Sequence, residues 1–336
     1  VGGQDELVFD GASFVLNAGG SLAVQMPAWE EAVAITEWRR DGNRWACEPQ
    51  PLAEIEQGDA ANYLACVTGL RDYVEKNGFP GVVLGLSGGI DSALCVAMAV
   101  DALGAKRVHG VMLPYTFTSN ESLSDAAETA QALGVRYDIM PIHPAVEGLT
   151  KSLASITDGG DAGTAQENLQ SRARGTLLMG LSNKFGPMLI TTGNKSEVSV
   201  GYATLYGDMN GGFNPIKDLY KTQVYALARY RNRERPKGCL GPKGRVSPEN
   251  VITKAPTAEL KHNQRDQDTL PPYDVLDDIL NCLVELELPV REIVARGHAP
   301  AHRPQHVGRD VLQRHVHIGH HALRPGPHRD QPIAPQ

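Results

Sequence analysis

Residues 81–103, GVVLGLSGGIDSALCVAMAVDAL, decide the fold of this chain. The apolar, β-branched run at 82–84 predicts a fully buried central strand. Apolar residues then return at helical spacing, which predicts a helix from Ile90 onward. A strand, a glycine turn and a helix start bring several unpaired backbone N–H groups to one point. The stretch therefore predicts a phosphate-binding loop.

The side chains of this loop suit the same ligand. Gly88 and Gly89 let the backbone approach an anion without an intervening Cβ atom. Asp91 lies in the first helical turn, where a carboxylate can hold a metal ion that phosphates share, and Ser87 and Ser92 add hydroxyl groups. The loop lacks the GK[ST] ending of a Walker motif. The alternative, a glycine turn that merely caps a helix, stays open at this point.

Composition narrows the class of protein. The chain has 336 residues, enough for one large domain or two modest ones, and its 41% hydrophobic and 21% charged content is ordinary for a soluble protein. A net charge of −7 argues against a nucleic-acid or membrane-surface binder. The sequence shows neither an apolar run of membrane-spanning length nor a signal peptide. We therefore expect a cytoplasmic protein, and we interpret the start at Val1 as that of a fragment.

The cysteines indicate a reducing compartment. They are odd in number and share no close spacing: Cys47, Cys66, Cys95, Cys239 and Cys282. A disulfide framework or a zinc site would need a different pattern, so buried free thiols are expected.

The remaining chain predicts a small β region followed by a parallel sheet. Short strands at 7–9, 13–16 and 22–24 alternate with turn residues, and the proline-interrupted acidic stretch 47–58 is the expected domain boundary. A helix at 60–76 leads into the central strand.

Further strands and helices then alternate. The predicted strands are 108–113, 135–142 and 188–192, and the predicted helices are 124–133 (capped at Ser122 or Ser124), 144–155 and 168–185, with a glycine-rich loop at 158–163. This alternation predicts an α/β fold with a doubly wound, Rossmann-like parallel sheet. Ligands of such sheets bind beyond the carboxyl ends of the strands, so SGGIDS (87–92) and TTGNKSE (191–197) are expected to face one site.

The loop SGGIDS resembles the pyrophosphate-binding loop of the N-type ATP pyrophosphatases, whose fold is the adenine nucleotide alpha hydrolase type. Four other stretches resemble the glutamine-dependent NAD synthetase family, and the resemblance covers residues 1 to about 297. They are ENLQSRARGTLLMGLSNKFG (167–186), TTGNKSEVSVGYATLYGDMNGGFNPIKDLYKTQV (191–224), KAPTAEL (254–260) and DQDTLPPYDVLD (266–277).

The resemblance implies a domain plan. VGGQDELVFDGASFVL at the start resembles the end of a nitrilase-like α/β glutaminase domain, whose catalytic Glu, Lys and Cys lie upstream of this motif. Residues 1–46 are thus expected to be the end of that domain, 47–58 a linker and 59–297 the synthetase domain. Neither Cys47 nor Cys66 is assigned as a nucleophile.

The family's reaction is the ATP- and Mg²⁺-dependent amidation of deamido-NAD to NAD through an adenylate, with release of AMP and pyrophosphate. The resemblance implies ammonia as the donor for this chain, glutamine only through the glutaminase half, and a homo-oligomer. Two alternatives stay open. One is another amidotransferase of the pyrophosphatase group, similar to GMP synthetase, and the other is a non-catalytic nucleotide-binding subunit.

The same resemblance implies residue roles. The ATP phosphates would be held by Gly85, Leu86, Ser87, Gly88, Gly89, Ile90, Asp91 and Ser92. Asp91 and Glu197 match metal ligands, and Glu197 also matches a substrate contact. Lys221 matches the lysine that offsets the growing charge of pyrophosphate.

Four other positions match ligand contacts of the family, although their residue types alone indicate no particular role. Thr192 and Thr257 match ATP contacts, while Asn168 and Arg172 match substrate contacts on one helix face. From the residues alone, Glu197, Lys221 and Arg172 are typical solvated charges. Thr257 and Asn168 would equally suit helix caps, and Asp208 is interpreted as a turn residue.

The end of the chain departs from the family pattern. A helix at 274–287 carries an apolar stripe typical of a core or an interface. Eight of the eleven histidines then fall within 298–336, among Arg and Pro. A metal-binding tract, a natural disordered tail and a shifted reading frame are the three interpretations, and we favour the last.

Overall fold

The computed structural model describes residues 1–4, 7–156 and 163–298. The described residues divide into two compact units, one that ends at Asp268 and one that begins at Thr269, and each is considered by itself. The predicted loop 158–163, apart from Gly163, and the tail after His298 lie outside the described residues. The domain boundary at 47–58 stays a prediction.

The first 47 residues form three antiparallel strand pairs. These are β1 (Gly2–Gln4) with β2 (Leu7–Phe9), β3 (Phe14–Leu16) with β4 (Leu22–Gln25), and β5 (Trp38–Asp41) with β6 (Arg44–Cys47). The first two pairs contain the three predicted strands. The third pair was not predicted, because charged residues in both of its strands obscure the apolar pattern of a strand.

Helix α1 (Gly58–Lys76) connects this region to the central sheet. It begins two residues before the predicted 60–76. Strand β1 packs against it, and the backbone N–H of Gly3 donates to Oδ2 of Asp72 at 2.8 Å. The helix buries Tyr63, Leu70 and Val74 on its other side. The small β region is thereby joined to the α/β part within one compact unit.

The central sheet is parallel, as predicted. Its strands are β7 (Val82–Gly85), β8 (Val108–Met112), β9 (Arg136–Ile139) and β10 (Met188–Leu189), in the order β10-β7-β8-β9. Strand β10 is shorter than the predicted 188–192. The N–H of Ile190 still donates to the carbonyl of Val83 at 3.0 Å, and the chain then pairs with Phe213 through an isolated bridge. Since β8 lies on one side of β7 and β10 on the other, the chain reverses its direction of strand addition at β7 and β10.

Helices α2 to α8 surround the sheet. They are α2 (Ile90–Leu103), α3 (Asn120–Leu133), α4 (His143–Leu153), α5 (Gly163–Phe185), α6 (Lys195–Ser199), α7 (Lys221–Arg233) and α8 (Glu249–Thr253). The predicted cap of α3 at Ser122 or Ser124 was wrong. Ser119 caps it and accepts from the N–H of Ser122, because the helix includes the polar residues before the apolar run. Gly134 ends α3 in the left-handed conformation.

Two apolar cores cover the two faces of the sheet. Leu84 of β7 joins a core with residues of α1, α2, α3 and α7, while its neighbour Val83 joins a core with residues of α4 and α5. Successive side chains of a strand point to opposite faces, so a strand covered on both faces reads as a continuous apolar run. The doubly wound α/β fold is confirmed.

The second unit contains α9 (Tyr273–Leu280) and α10 (Val290–Ala295). The helix predicted at 274–287 begins as expected but continues after Leu280 as a π-helical turn, Asn281–Glu285. All five cysteines are free thiols; four of them are buried, as predicted, and Cys66 is half-buried. Within the described ranges, no helix is long and apolar enough to cross a membrane.

Candidate active site

The predicted phosphate loop follows β7, and the local geometry requires a glycine at position 88. Gly88 has φ +80°, and a Cβ atom there would lie 2.3 Å from the carbonyl oxygen of Ser122 at the start of α3. The backbone of the loop thus contacts a neighbouring helix with no space for a side chain. Leu86 is fully buried, and its N–H donates to Val111 at 2.9 Å. Leu86 therefore anchors the loop through packing, and its side chain faces the protein interior.

Two serines hold the loop in shape. Ser92 Oγ donates to the carbonyl of Gly89 at 3.0 Å, accepts from the N–H of Ser87 at 3.2 Å and lies 3.2 Å from Ser87 Oγ. Gly89 precedes α2 without a side-chain cap. The first N–H groups of a helix have no partner within the helix, so α2 presents donors and its positive dipole end to a ligand.

Three charged side chains meet beside this helix start. Lys221 Nζ lies 2.6 Å from Asp91 Oδ2 and 2.9 Å from Glu197 Oε1, and the residue is 2% exposed. Burial by itself lowers the pKa of Lys221, but Asp91 and then Glu197 outweigh burial and raise it. Burial, opposed by Lys221, raises the pKa of Glu197 to about 7. Asp91 and Glu197 thus share one cation, the ammonium of Lys221. This agrees with the expectation that the two carboxylates lie at one site.

The ends of α6 and α7 position two members of this group. Lys221 is the first residue of α7, and its N–H donates to Ser196 Oγ at 2.8 Å. Asn194 caps α6 by accepting from the N–H of Glu197 at 3.0 Å, and its Nδ2 donates to Asp91 Oδ1 at 2.9 Å. Sequence reasoning missed Asn194 as a site residue. The spacing Asn-x-x-Glu of a capping box was the available signal.

A cavity of about 670 Å³ opens over this group, within the first unit. It lies beyond the carboxyl ends of β7 and β10, where the strand order reverses, and a doubly wound sheet binds ligands at this place. Eight of the predicted residues line it: Ser87, Gly89, Ile90, Asp91, Ser92, Thr192, Glu197 and Lys221. The predicted convergence of the loops SGGIDS and TTGNKSE is therefore found.

Thr257 also lines the cavity, on a strap formed by residues 254–260. The helix-cap interpretation of Thr257 was wrong: α8 ends at Thr253, and no helix follows in the described strap. Glu259 has φ +50° and accepts from Ser119 Oγ at 2.7 Å and Ser122 Oγ at 2.9 Å. The start of α3 therefore holds the strap in place.

Asn168 and Arg172 do not line the cavity. They lie on one face of α5, as their spacing predicts, and both bind a neighbouring loop. Asn168 Oδ1 accepts from Thr204 Oγ1 at 3.1 Å, and Arg172 Nε donates to the carbonyl of Leu205 at 3.1 Å. The cap interpretation of Asn168 was wrong, because α5 begins at Gly163.

Asp208 belongs to the same loop, and its turn interpretation fits the structure. Its Oδ1 accepts from the N–H of Thr204 at 2.8 Å. It also lines the cavity, and burial raises its pKa.

The side chains of the site supply some of the oxygen ligands that Mg²⁺ prefers. Among the described residues, no group of three or more His, Cys, Asp and Glu side chains gathers as a metal site. Asp91 and Glu197 nevertheless surround one cation position, where the Lys221 ammonium now lies. Two carboxylates fit Mg²⁺ when phosphate oxygens and water complete its octahedron.

Residues 63–317 match the family model NAD synthase. The chain belongs to the NAD synthase family. It is 53% identical over 301 residues to the glutamine-dependent NAD(+) synthetase of Rhodobacter capsulatus, covering 88% of this chain and 54% of that relative. With the same enzyme of Acinetobacter baylyi it shares 49% identity over 304 residues, covering 88% and 53%. The chain thus spans about half the length of the curated relatives it matches.

Solved structures of NAD synthetases share this fold. The glutamine-dependent NAD+ synthetase of Acinetobacter baumannii in complex with ADP matches with a TM-score of 0.70 and 46% identity, over 97% of this chain and 57% of that one. The NH3-dependent NAD synthetase of Campylobacter jejuni matches with a TM-score of 0.57 and 25% identity, over 81% of this chain and 99% of that one. The second comparison covers an NAD synthetase over nearly its whole length.

Proposed function

We propose that this chain catalyses the ATP-dependent amidation of deamido-NAD to NAD, through an adenylate, with release of AMP and pyrophosphate. One observation carries the proposal: Asp91 and Glu197, from two loops at strand ends, share one cation beside an uncapped helix start. Triphosphate chemistry needs this combination of amide donors, a cation and acidic side chains. The names of the relatives support the same reaction.

In this proposal the ATP phosphates bind at the start of α2. The N–H groups there and the hydroxyl of Ser87 contact the phosphates, and Thr192 and Thr257, which both line the cavity, contact ATP. The Acinetobacter baumannii relative was solved with ADP, which supports an adenine nucleotide as ligand. Asp91 and Glu197 would hold Mg²⁺, which would supply neutralising charge for the triphosphate.

The reaction begins when the nicotinate carboxylate attacks the α-phosphorus and pyrophosphate leaves. Negative charge then grows on the pyrophosphate oxygens, and Lys221 supplies a fixed positive charge next to them. Ammonia attacks the acyl carbon of the adenylate, and AMP leaves. The protein contributes alignment and charge compensation, since adenylation has already made the carboxylate a good acyl donor.

We further propose free ammonia as the nitrogen donor for this chain. The match to nearly the whole NH3-dependent enzyme of Campylobacter jejuni supports a unit that uses ammonia directly. Glutamine would require a nitrilase-like glutaminase half, of which residues 1–46 are the proposed end. In the same scheme 47–58 is a linker, 59–297 is the synthetase domain, and the protein is a cytoplasmic homo-oligomer.

Pyrophosphate release tests the proposal. The chain is incubated with ATP, Mg²⁺ and ammonium, with deamido-NAD or xanthosine monophosphate as the acceptor, and NAD is quantified in parallel. We expect release only with deamido-NAD and one NAD per pyrophosphate. Release with xanthosine monophosphate alone would identify a relative of GMP synthetase. ATP binding without release would indicate a non-catalytic subunit.

A second assay compares nitrogen donors. Ammonium and glutamine are supplied at equal concentration, and NAD is measured. Efficient use of glutamine by this chain would contradict the proposed donor.

A further inference from the structure

Asn194 joins the two loops of the site through a single side chain. It is fully buried, at the position that precedes α6. Its Oδ1 accepts from the N–H of Glu197 at 3.0 Å, and its Nδ2 donates to Asp91 Oδ1 at 2.9 Å. The amide orientation follows from the partners, because a backbone N–H requires an acceptor and a carboxylate requires a donor.

The two bonds leave defined atoms for a cation. With Oδ1 of Asp91 held by Asn194, the other oxygen, Oδ2, faces Lys221 Nζ at 2.6 Å. The cap fixes the first turn of α6, and Glu197 Oε1 reaches the same Nζ at 2.9 Å. The relative position of the two carboxylates therefore depends on one amide.

An asparagine suits this place because of its side-chain chemistry. Serine could still cap α6, but its hydroxyl is shorter and cannot reach across to Asp91. Aspartate could also cap the helix, but it would place a second carboxylate against Asp91. Only an amide of this length combines the acceptor and the donor.

We propose that Asn194 is a positioning residue that holds Asp91 and Glu197 in the arrangement in which they share one cation with the nucleotide phosphates. The proposal rests on the function proposed for this site. Asn194 itself touches no reacting atom: it acts through the carboxylates on either side of it.

The test compares Asn194→Ser, which keeps the cap, with Asn194→Ala, which loses both bonds. Mn²⁺ with ATP is the probe, and free Mn²⁺ is measured by electron paramagnetic resonance. We expect the dissociation constant of Mn²⁺·ATP to rise about tenfold in both variants, as loss of a hydrogen bond to a charged group predicts. The melting temperature should fall further in the alanine variant, because only alanine removes the cap.

Asn232→Ser is the matched control. Asn232 likewise joins backbone groups, donating to the carbonyl of Ser247 at 2.8 Å and accepting from the N–H of Val246 at 2.9 Å, but it does not line the cavity. This control should lose melting temperature and keep the dissociation constant of the wild type.

Three outcomes would overturn the proposal. The first is wild-type affinity for Mn²⁺·ATP in Asn194→Ser, which would reduce the role of Asn194 to capping. The second is an equal loss of affinity in Asn232→Ser. The third is that the wild type does not bind Mn²⁺·ATP. Kinetics give a further readout: the KM for ATP should rise more than kcat falls. If the wild type binds Mn²⁺·ATP with the expected variant effects but forms no NAD, the proposed function fails and the role of Asn194 stands.

Discussion

Lys221 Nζ lies 2.6 Å from Asp91 Oδ2, although 130 residues separate the two along the chain. Asp91 belongs to the first turn of α2, and Lys221 is the first residue of α7. Both are held at helix starts beside the same cavity. The pair therefore connects the phosphate loop to the second half of the fold, and the stability and proposed activity of the protein depend on it.

Replacing Lys221 by Met should abolish most of the activity and reduce stability. The variant leaves Asp91 and Glu197 facing each other without a counter-ion, which typically costs about 3–5 kcal/mol for a buried pair. Loss of a charge that stabilises the transition state should lower kcat by roughly 10²–10³. Urea unfolding and deamido-NAD-dependent pyrophosphate release measure the two effects.

Lys237→Met is the control for that prediction. Lys237 pairs with Glu30 at 2.8 Å, its side chain is 80% exposed, and it does not line the cavity. Exposed pairs contribute little to stability, so this variant should leave the free energy of unfolding unchanged. Equal effects of the two substitutions would contradict the role given to Lys221.

Gly88→Ala should disrupt the phosphate loop. The added Cβ would lie 2.3 Å from the carbonyl oxygen of Ser122, and the backbone has φ +80°. Gly134 has φ +68° with nothing within 4 Å of an added Cβ, so Gly134→Ala measures the conformational strain alone. We expect Gly134→Ala to cost about 1 kcal/mol and to keep ATP binding. Gly88→Ala should lower the free energy of unfolding by more than this and weaken ATP binding. Calorimetric titration with ATP measures the binding, and equal affinities of the two variants would contradict the prediction.

Glu259→Ala should release the strap that carries Thr257. The carboxylate accepts from Ser119 Oγ and Ser122 Oγ, and both hydrogen bonds are charge-assisted. We expect the KM for ATP to rise by roughly tenfold, and trypsin to cut faster within the strap. In Glu128→Ala, which loses an exposed pair with Arg245, both measurements should match the wild type. An unchanged KM in Glu259→Ala would show that the strap needs no anchor.

Stability should decline in mild acid through His109. Burial lowers the pKa of this imidazole below 6.5, although Asp138 Oδ2, at 2.7 Å, favours the charged form. Between the lowered native pKa and 6.5, the unfolded chain binds more protons than the folded chain. The free energy of unfolding therefore rises with pH across that interval, and this contribution to stability is lost as the pH falls. The urea midpoint should change more between pH 7.5 and 5.5 for the wild type than for His109→Gln. An equal change in the two proteins would refute the role given to His109.

Much of the fold could be predicted because its signals are local. The β-branched run of β7, the glycine turn and the apolar spacing of α2 lie within 23 consecutive residues, and alternation of strands and helices implies parallel pairing. Strands β5 and β6 were not predicted because their charged residues obscure the alternation of apolar and polar residues that is typical of a strand. The extra turns at the starts of α3 and α5 escaped it because polar residues there resemble loops. Helix ends depend on capping contacts, which pattern alone defines poorly.

The sequence by itself determined the class of fold, the phosphate loop and the residue types of the site. Only the tertiary structure decided that Asp91 and Glu197 share the ammonium of Lys221, that Asn194 joins Asp91 to Glu197, and that Asn168 and Arg172 bind the loop at 204–205 without lining the cavity themselves. The physical reason is distance along the chain. A motif encodes the backbone of its own few residues, whereas the meeting of two loops requires β10 to pair beside β7, and that pairing depends on the packing of the whole sheet.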